Sequence, residues 1–251
     1  MKLIWEWIQR GYLRIIAPIG DFLVRKNVNP NVITTVGTGC TLVAGVIFAT
    51  GHISIAGWFL GITALFDVLD GTVARRTGRS TTFGAFYDST LDRVADGAVF
   101  GGLAVFFARN DVHNTIPHTM GTPMVGVLLL GIIGTFLTSY TRARAEALGI
   151  ELKNVGILQR PERITLLSAP QAFFGLTLNG WVLIAICVLL SVTAWVTAVQ
   201  RIVHVYRATS SERPRTVGSP AAVERPVRTP PEHIIRGDLP EPASYSAQTP
   251  R

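Results

Sequence analysis

The chain has 251 residues, 48% hydrophobic and only 16% charged, with a mean hydropathy of +0.37. Soluble domains average about 25% charged residues, so this composition argues against an ordinary soluble enzyme and for an integral membrane protein. The net charge of +7 does not point to nucleic acid, because the basic residues fall mainly between apolar segments, as cytoplasmic loops do.

Residues 1–27 pattern as an amphipathic helix lying on the membrane. Ile4, Trp5, Ile8, Tyr12, Ile15 and Ile16 recur at helical spacing, and Lys2, Glu6, Arg10 and Arg14 fall elsewhere. Glu6 and Arg10 break up any continuous apolar core, so the segment does not read as a cleavable signal. Pro18 and Gly20 are expected to interrupt it, and Arg25 and Lys26 to close it. Asn29-Pro30-Asn31 predicts a turn and a helix start.

Six apolar spans follow, at about residues 32–50, 53–69, 83–108, 124–140, 164–178 and 181–203. Gly51-His52 and Asn179-Gly180 are tight returns, and the fourth span continues into a charged helix through Glu146. Cys40 and Cys187 lie inside apolar segments and read as inert packing residues. Residues 208–251 are rich in Pro, Ser, Thr, Arg and Glu, which predicts a disordered tail. Lys and Arg concentrate in the N-terminal segment, the loops after spans two and four, and the C-terminal end. The positive-inside rule therefore places both termini in the cytoplasm. The expected architecture is all-α and multi-pass in the plasma membrane, with a juxtamembrane helix over 1–27, a six-helix domain over 28–207 and a cytoplasmic tail over 208–251.

The chemistry concentrates between spans two and three. Asp67 and Asp70 are spaced i,i+3, and Asp88 and Asp92 are spaced i,i+4, so each pair shares one helix face. Carboxylates at membrane depth are costly, and four of them unpaired would repel one another. Hard divalent cations bind such oxygens, and two metals about 4 Å apart form a clamp for displacement at phosphorus. Caps or partners for Arg75, Arg76 and Arg93 would explain one or two of these aspartates, not four. A cation transporter is the alternative class. It predicts acids distributed toward the far side, whereas here they cluster at one membrane face.

The pattern D-x2-D-G-x2-A-R-x8-G-x3-D-x3-D, formed by Asp67, Asp70, Gly71, Ala74, Arg75, Gly84, Asp88 and Asp92, resembles the signature of the CDP-alcohol phosphotransferases. The resemblance covers about residues 20–207. It implies transfer of a phosphatidyl-type group from a CDP-linked lipid to an alcohol, with release of CMP. It also implies that Asp67, Asp70, Asp88 and Asp92 hold two Mg²⁺ ions, with Mn²⁺ as a substitute, and that Asp92 is the general base. Gly71, Arg75 and Thr81 would meet the CDP diphosphate, and Asn31, Val32, Ile33 and Thr34 would line the cytidine. Family resemblance implies a homodimer, and the small residues Gly97, Gly101, Gly102, Gly131 and Gly134 permit close helix contacts, between copies or equally within one copy.

A second stretch, Ser139-Tyr-Thr-Arg-Ala-Arg-Ala-Glu146 with a downstream Arg160-Pro-Glu-Arg163, gathers cations near the cytoplasmic edge. Arginine offers bidentate recognition of phosphate, so the set favours an anion pocket over simple membrane anchoring. It resembles the phosphatidylinositol phosphate synthases and the related archaeal ether-lipid enzymes. Gln159 stands where an acidic residue is expected, and Arg142 replaces a common lysine. The resemblance implies CDP-diacylglycerol as donor and inositol 1-phosphate as acceptor. Ser139, Arg142, Arg144, Arg160 and Arg201 would grip the acceptor phosphate. Glycerol 3-phosphate as acceptor, or an ether-linked (archaetidyl) donor, are the alternatives.

Overall fold

The computed structural model of the chain describes residues 17–109, 116–152, 155–158 and 160–210. Among these residues every regular element is helical. Residues 17–25 form α1. They are followed by α2 (Pro30–Ala49), α3 (Ile53–Arg76), α4 (Thr82–Ala108), α5 (Gly121–Ala147), α6 (Arg160–Phe174) and α7 (Trp181–Thr209).

Local chemistry sets the helix ends. The Asn29 side chain accepts the Asn31 N–H at 3.0 Å, and Pro30 occupies the first turn of α2, where its missing donor costs nothing. Gly51, with φ of +87°, makes the predicted tight return into α3. The second predicted span stops seven residues early, since α3 continues from Leu69 to Arg76. Gly71 does not end it. The true stop is Thr77-Gly78, with Gly78 at φ +67°, and Arg75 and Arg76 suit the negative end of the helix dipole. The fifth span is displaced, running over Arg160–Phe174 where 164–178 was expected. Pro161 belongs in the first turn of a helix, and Gly175 at φ +52° terminates it.

A helix stands at each of the six predicted spans. Among the described residues, four segments are long and apolar enough to cross a membrane: Pro30–Ala49, Ile53–Arg76, Gly121–Ala147 and Leu178–Thr209. The other two fall short for different reasons. α4 carries Asp88, Asp92, Arg93 and Asp96, and α6 has only 15 residues, about 22 Å of helix against about 30 Å of hydrocarbon.

The six helices close into a ring in the order α2, α3, α6, α7, α5, α4 and back to α2. Neighbouring contacts fix their directions. Gly57 meets Gln171, Gly61 meets Ser168 and Asp67 meets Arg160, so α3 and α6 are antiparallel. Asn31 lies near Gly84, and Gly45 touches Ala98 and Gly102, so α2 and α4 run parallel. The α2–α4 crossing has no room for side chains. A Cβ on Gly45 would come within 2.5 Å of the Ala98 carbonyl oxygen, and one on Gly102 would collide with the Gly45 carbonyl.

The large apolar core lies in one half of the ring. It is built from Phe48, Leu60, Leu103, Phe106, Phe107, Leu128, Leu183 and Leu190. A smaller cluster of Ile33, Leu69 and Val73 sits at the other end and receives Leu23 and Val24 from α1. Asp21 of α1 also pairs with Arg76 at 2.5 Å. Pro18 and Gly20, expected as interruptions, lie inside α1, which docks there on α3. The remainder of the predicted interfacial helix, residues 1–16, lies outside the described residues. So does the predicted tail beyond residue 210, and α7 carries the helix two residues past the expected boundary at 207. Cys187 is buried, Cys40 is half-buried, and both are free thiols.

Candidate active site

The acidic face is assembled where α3 and α4 leave the apolar half of the ring. Asp67 and Asp70 lie two to three turns before the end of α3. Asp88 and Asp92 lie in the second and third turns of α4. The four carboxylates are within electrostatic range of one another: Asp88 acts on Asp67, Asp70 and Asp92, and Asp67 acts on Asp70 and Asp92. Asp70 is buried and accepts the Thr34 hydroxyl at 2.7 Å, which ties α2 to α3. No ion pair to Asp88 is found among the described residues.

Beside these acids is a cavity of about 180 Å³, lined by Pro30, Asn31, Thr34, Asp70, Gly71, Ala74, Arg75, Arg79, Ser80, Thr81, Gly84, Ala85 and Asp88. Two helix N-termini, those of α2 and α4, open onto it with their partial positive charge, and Arg75 and Arg79 add full charges. Such a rim suits an anion. Thr81 is the N-cap of α4, accepting the Gly84 N–H at 2.9 Å. Gly71 is a close-approach position. A Cβ there would sit 3.2 Å from Arg75 Nη1, against the cavity wall. Asn31 and Thr34, one turn apart, face the cavity. The helical repeat turns the two residues between them away from the cavity. Val32 is exposed, and Ile33 is packed against Leu69 and Val73.

The five residues expected to bind the acceptor phosphate do not meet as a set. Arg142 is exposed and paired along its own helix with Glu146 at 2.9 Å. Arg144 is exposed in the last turn of α5. Ser139 donates to the Thr135 carbonyl at 3.2 Å. Arg201 docks α7, donating from Nε to the Val155 carbonyl at 3.0 Å and from Nη1 to the Thr138 carbonyl. Arg160 has gone to the acids. Its Nη1 pairs with Asp67 Oδ2 and with Asp92 Oδ1, the latter at 2.7 Å. Arg201 lies within electrostatic range of Arg93, Arg142 and Arg163, and Arg163 within range of Arg93 and Arg160, so a basic field remains around Arg201 and Arg163.

Sequence reasoning missed Asp96, one turn beyond Asp92 on the same face, although the i,i+4 rule that paired Asp88 with Asp92 also reaches it. It missed Arg79 and Ser80 as cavity residues because a basic loop reads equally well as a membrane anchor. As for a metal, no three His, Cys, Asp or Glu side chains stand at ligating geometry among the described residues. The donor set nevertheless fits one, being all hard carboxylate oxygen, and a guanidinium already occupies the cationic position between Asp67 and Asp92.

A ring of membrane-type helices carrying an acidic cluster beside an anion-attracting cavity defines a polytopic membrane protein suited to phosphate chemistry. The family model for CDP-alcohol phosphatidyltransferase matches residues 27–203, and the chain belongs to that family. It is 31% identical over 218 residues to the phosphatidylinositol phosphate synthase of Streptomyces avermitilis, covering 86% of this chain and 85% of that one. Two crystal structures of Mycobacterium tuberculosis phosphatidylinositol phosphate synthase are similar at 32% identity. The form with CDP-DAG bound has a TM-score of 0.66 and covers 84% of this chain and 98% of that one. The form in complex with manganese and citrate has a TM-score of 0.64 and covers 83% and 91%.

Proposed function

We propose that this chain transfers the phosphatidyl group of CDP-diacylglycerol to inositol 1-phosphate, giving phosphatidylinositol phosphate and CMP. The observation that carries the reading is the convergence of Asp67, Asp70, Asp88 and Asp92 beside the cavity between the N-termini of α2 and α4. Similarity to synthases of that name supports the choice of donor and acceptor.

In this reading the cavity takes the CDP diphosphate, with Arg75, Thr81 and the two helix N-termini around it and Gly71 leaving room for close approach. The four aspartates would hold divalent cations, two Mg²⁺ per site with Mn²⁺ as a substitute. When bound, these supply charge neutralisation at the phosphoryl oxygens. The Asp92 carboxylate takes the proton of the acceptor hydroxyl as that oxygen forms its bond to the lipid-side phosphorus. The bond from that phosphorus to the CMP oxygen breaks, and the electron pair leaves with CMP. The field of Arg93, Arg163, Arg142 and Arg201 attracts the phosphate of the acceptor.

The reading extends to the whole chain. All six helices α2 to α7 cross the plasma membrane within a catalytic domain over 28–207, with a juxtamembrane helix over 1–27 and a tail over 208–251. The active site and both termini face the cytoplasm, and two copies form a homodimer. Product analysis tests the function. The purified chain with labelled CDP-diacylglycerol is expected to release CMP with inositol 1-phosphate and a divalent cation, and to stop on EDTA addition. Transfer to glycerol 3-phosphate alone replaces the acceptor; cation flux without CMP release replaces the reaction.

A further inference from the structure

Asp96 lies one helical turn beyond Asp92, outside the family pattern, with its side chain only 13% exposed. Two arginines face it. Arg160 Nε is 3.7 Å from Asp96 Oδ1, and Arg163 Nη2 is 3.7 Å from Asp96 Oδ2. Those separations are ion pairs but too long for hydrogen bonds. Asp96 Oδ2, Arg160 Nε and Arg163 Nε are all buried with no hydrogen-bond partner among the described residues. A void of about 30 Å³, bordered by Asp96, Arg160 and Arg163, adjoins them. Arg163 is anchored from the other side, Nη1 donating to Thr135 Oγ1 at 3.2 Å.

Arg160 therefore stands between two sets of acids. Its Nη1 holds Asp67 and Asp92, while its Nε points at Asp96 across an unmade hydrogen bond. A guanidinium and a divalent cation compete for the same oxygens of Asp67 and Asp92. Expelling a half-buried arginine with nowhere to go is costly, because an unpaired charge is left behind. A shift of about 1 Å toward Asp96 brings Nε within hydrogen-bond distance of Oδ1 and satisfies the stranded Arg160 Nε.

Resting on the reading of Asp67 and Asp92 as cation ligands, we infer that Asp96 is a positioning residue that takes over Arg160 when divalent cations occupy those two aspartates, and holds it beside Arg163 to face the acceptor phosphate. Cation loading and anion binding are then coupled through one arginine, and Asp92 gives up its pairing with Arg160 in the same step, keeping Arg93 at 3.5 Å.

The test is Mn²⁺ binding to the full chain in nanodiscs without substrate, read from the free Mn²⁺ signal by electron paramagnetic resonance. Asp96→Asn is expected to weaken binding about tenfold, the size of an ordinary coupling between sites. Asp96→Glu restores it. Arg160→Gln, which removes the competitor, binds more tightly than the wild type by about fivefold. In the Arg160→Gln background, Asp96→Asn changes the affinity by less than about twofold. An equal loss in both backgrounds makes Asp96 a direct contributor to the cation site and overturns the inference. Arg160→Gln binding no tighter than the wild type overturns it independently, even if Asp96→Asn does not fold. Asp88→Asn separates the two readings. Unchanged Mn²⁺ binding there fells the cation site and this inference with it. Lost binding there, with wild-type affinity in Asp96→Asn, fells the inference alone.

Discussion

Asp92 is the residue on which the proposed chemistry turns. It faces Arg160 at 2.7 Å and Arg93 at 3.5 Å, and it shares its surroundings with Asp67 and Asp88. Asp92→Asn keeps the size and removes the base. It is expected to lower CMP release by at least about a hundredfold, the lower end of general-base contributions, while CDP-diacylglycerol binding by isothermal titration stays near that of the wild type. Retention of full turnover would take Asp92 out of the base role. At this scale the sequence was informative about acids and much less so about bases. Aspartates at membrane depth are rare, so Asp67, Asp70, Asp88 and Asp92 stood out by cost alone. Arginines at a cytoplasmic edge are common, and their spacing does not say whether a guanidinium reaches solvent, as Arg142 does, or turns inward to a carboxylate, as Arg160 does. Val32 and Ile33 turn away from the cavity for a simpler reason: a stretch of four helical residues cannot face one side.

Helices were legible from apolar length, and their ends from turn chemistry. Gly51, Asn179-Gly180 and the Asn29 cap all appear where the sequence put them. The misplaced ends of α3 and α6 share a cause. Apolar content was read as the extent of the helix, whereas the helix continues wherever its backbone stays paired, through Gly71 and from Pro161 onward. Glycine roles were only half visible. Gly102, Gly131 and Gly134 were open to contact within one copy or between two, and they pack inside one ring against Gly45, Ser191 and Trp195, while Gly101 meets nothing within 4 Å. Gly102→Ala is expected to cost about 1–3 kcal/mol through overpacking at the α2–α4 crossing, read as a lower melting temperature in detergent. Gly101→Ala, on the open face, leaves stability level or raises it by less than about 1 kcal/mol. The opposite order would mean that Gly101 is the buried position, in an interface between copies.

The ring of described helices is polarised along its axis, apolar at one end and ionic at the other. In the proposed orientation, which follows the positive-inside rule, the ionic end faces the cytoplasm. Single cysteines test that assignment. In a Cys40→Ala background, with Cys187 buried, His52→Cys and Leu148→Cys place thiols at exposed positions on the two opposite ends. A membrane-impermeant maleimide on intact cells is expected to label the His52→Cys chain and to reach the Leu148→Cys chain only after permeabilisation. The reverse pattern would invert the protein.

The bare crossing of Gly45 and Gly102 has one more effect. It sets the closest approach of α2 to α4, and Thr35 Oγ1 meets Tyr87 Oη at 2.9 Å nearer the other ends of the same two helices, where the cavity opens at Asn31, Thr34, Gly84 and Asp88. Asn31 is 14 residues from Gly45, a lever arm of about 21 Å. Each degree of rocking about that pivot displaces the tip by roughly 0.4 Å. A tilt of a few degrees moves the mouth by about 1 Å while Phe48, Phe106 and Phe107, packed within about one turn of the crossing, shift far less than the lever's tip.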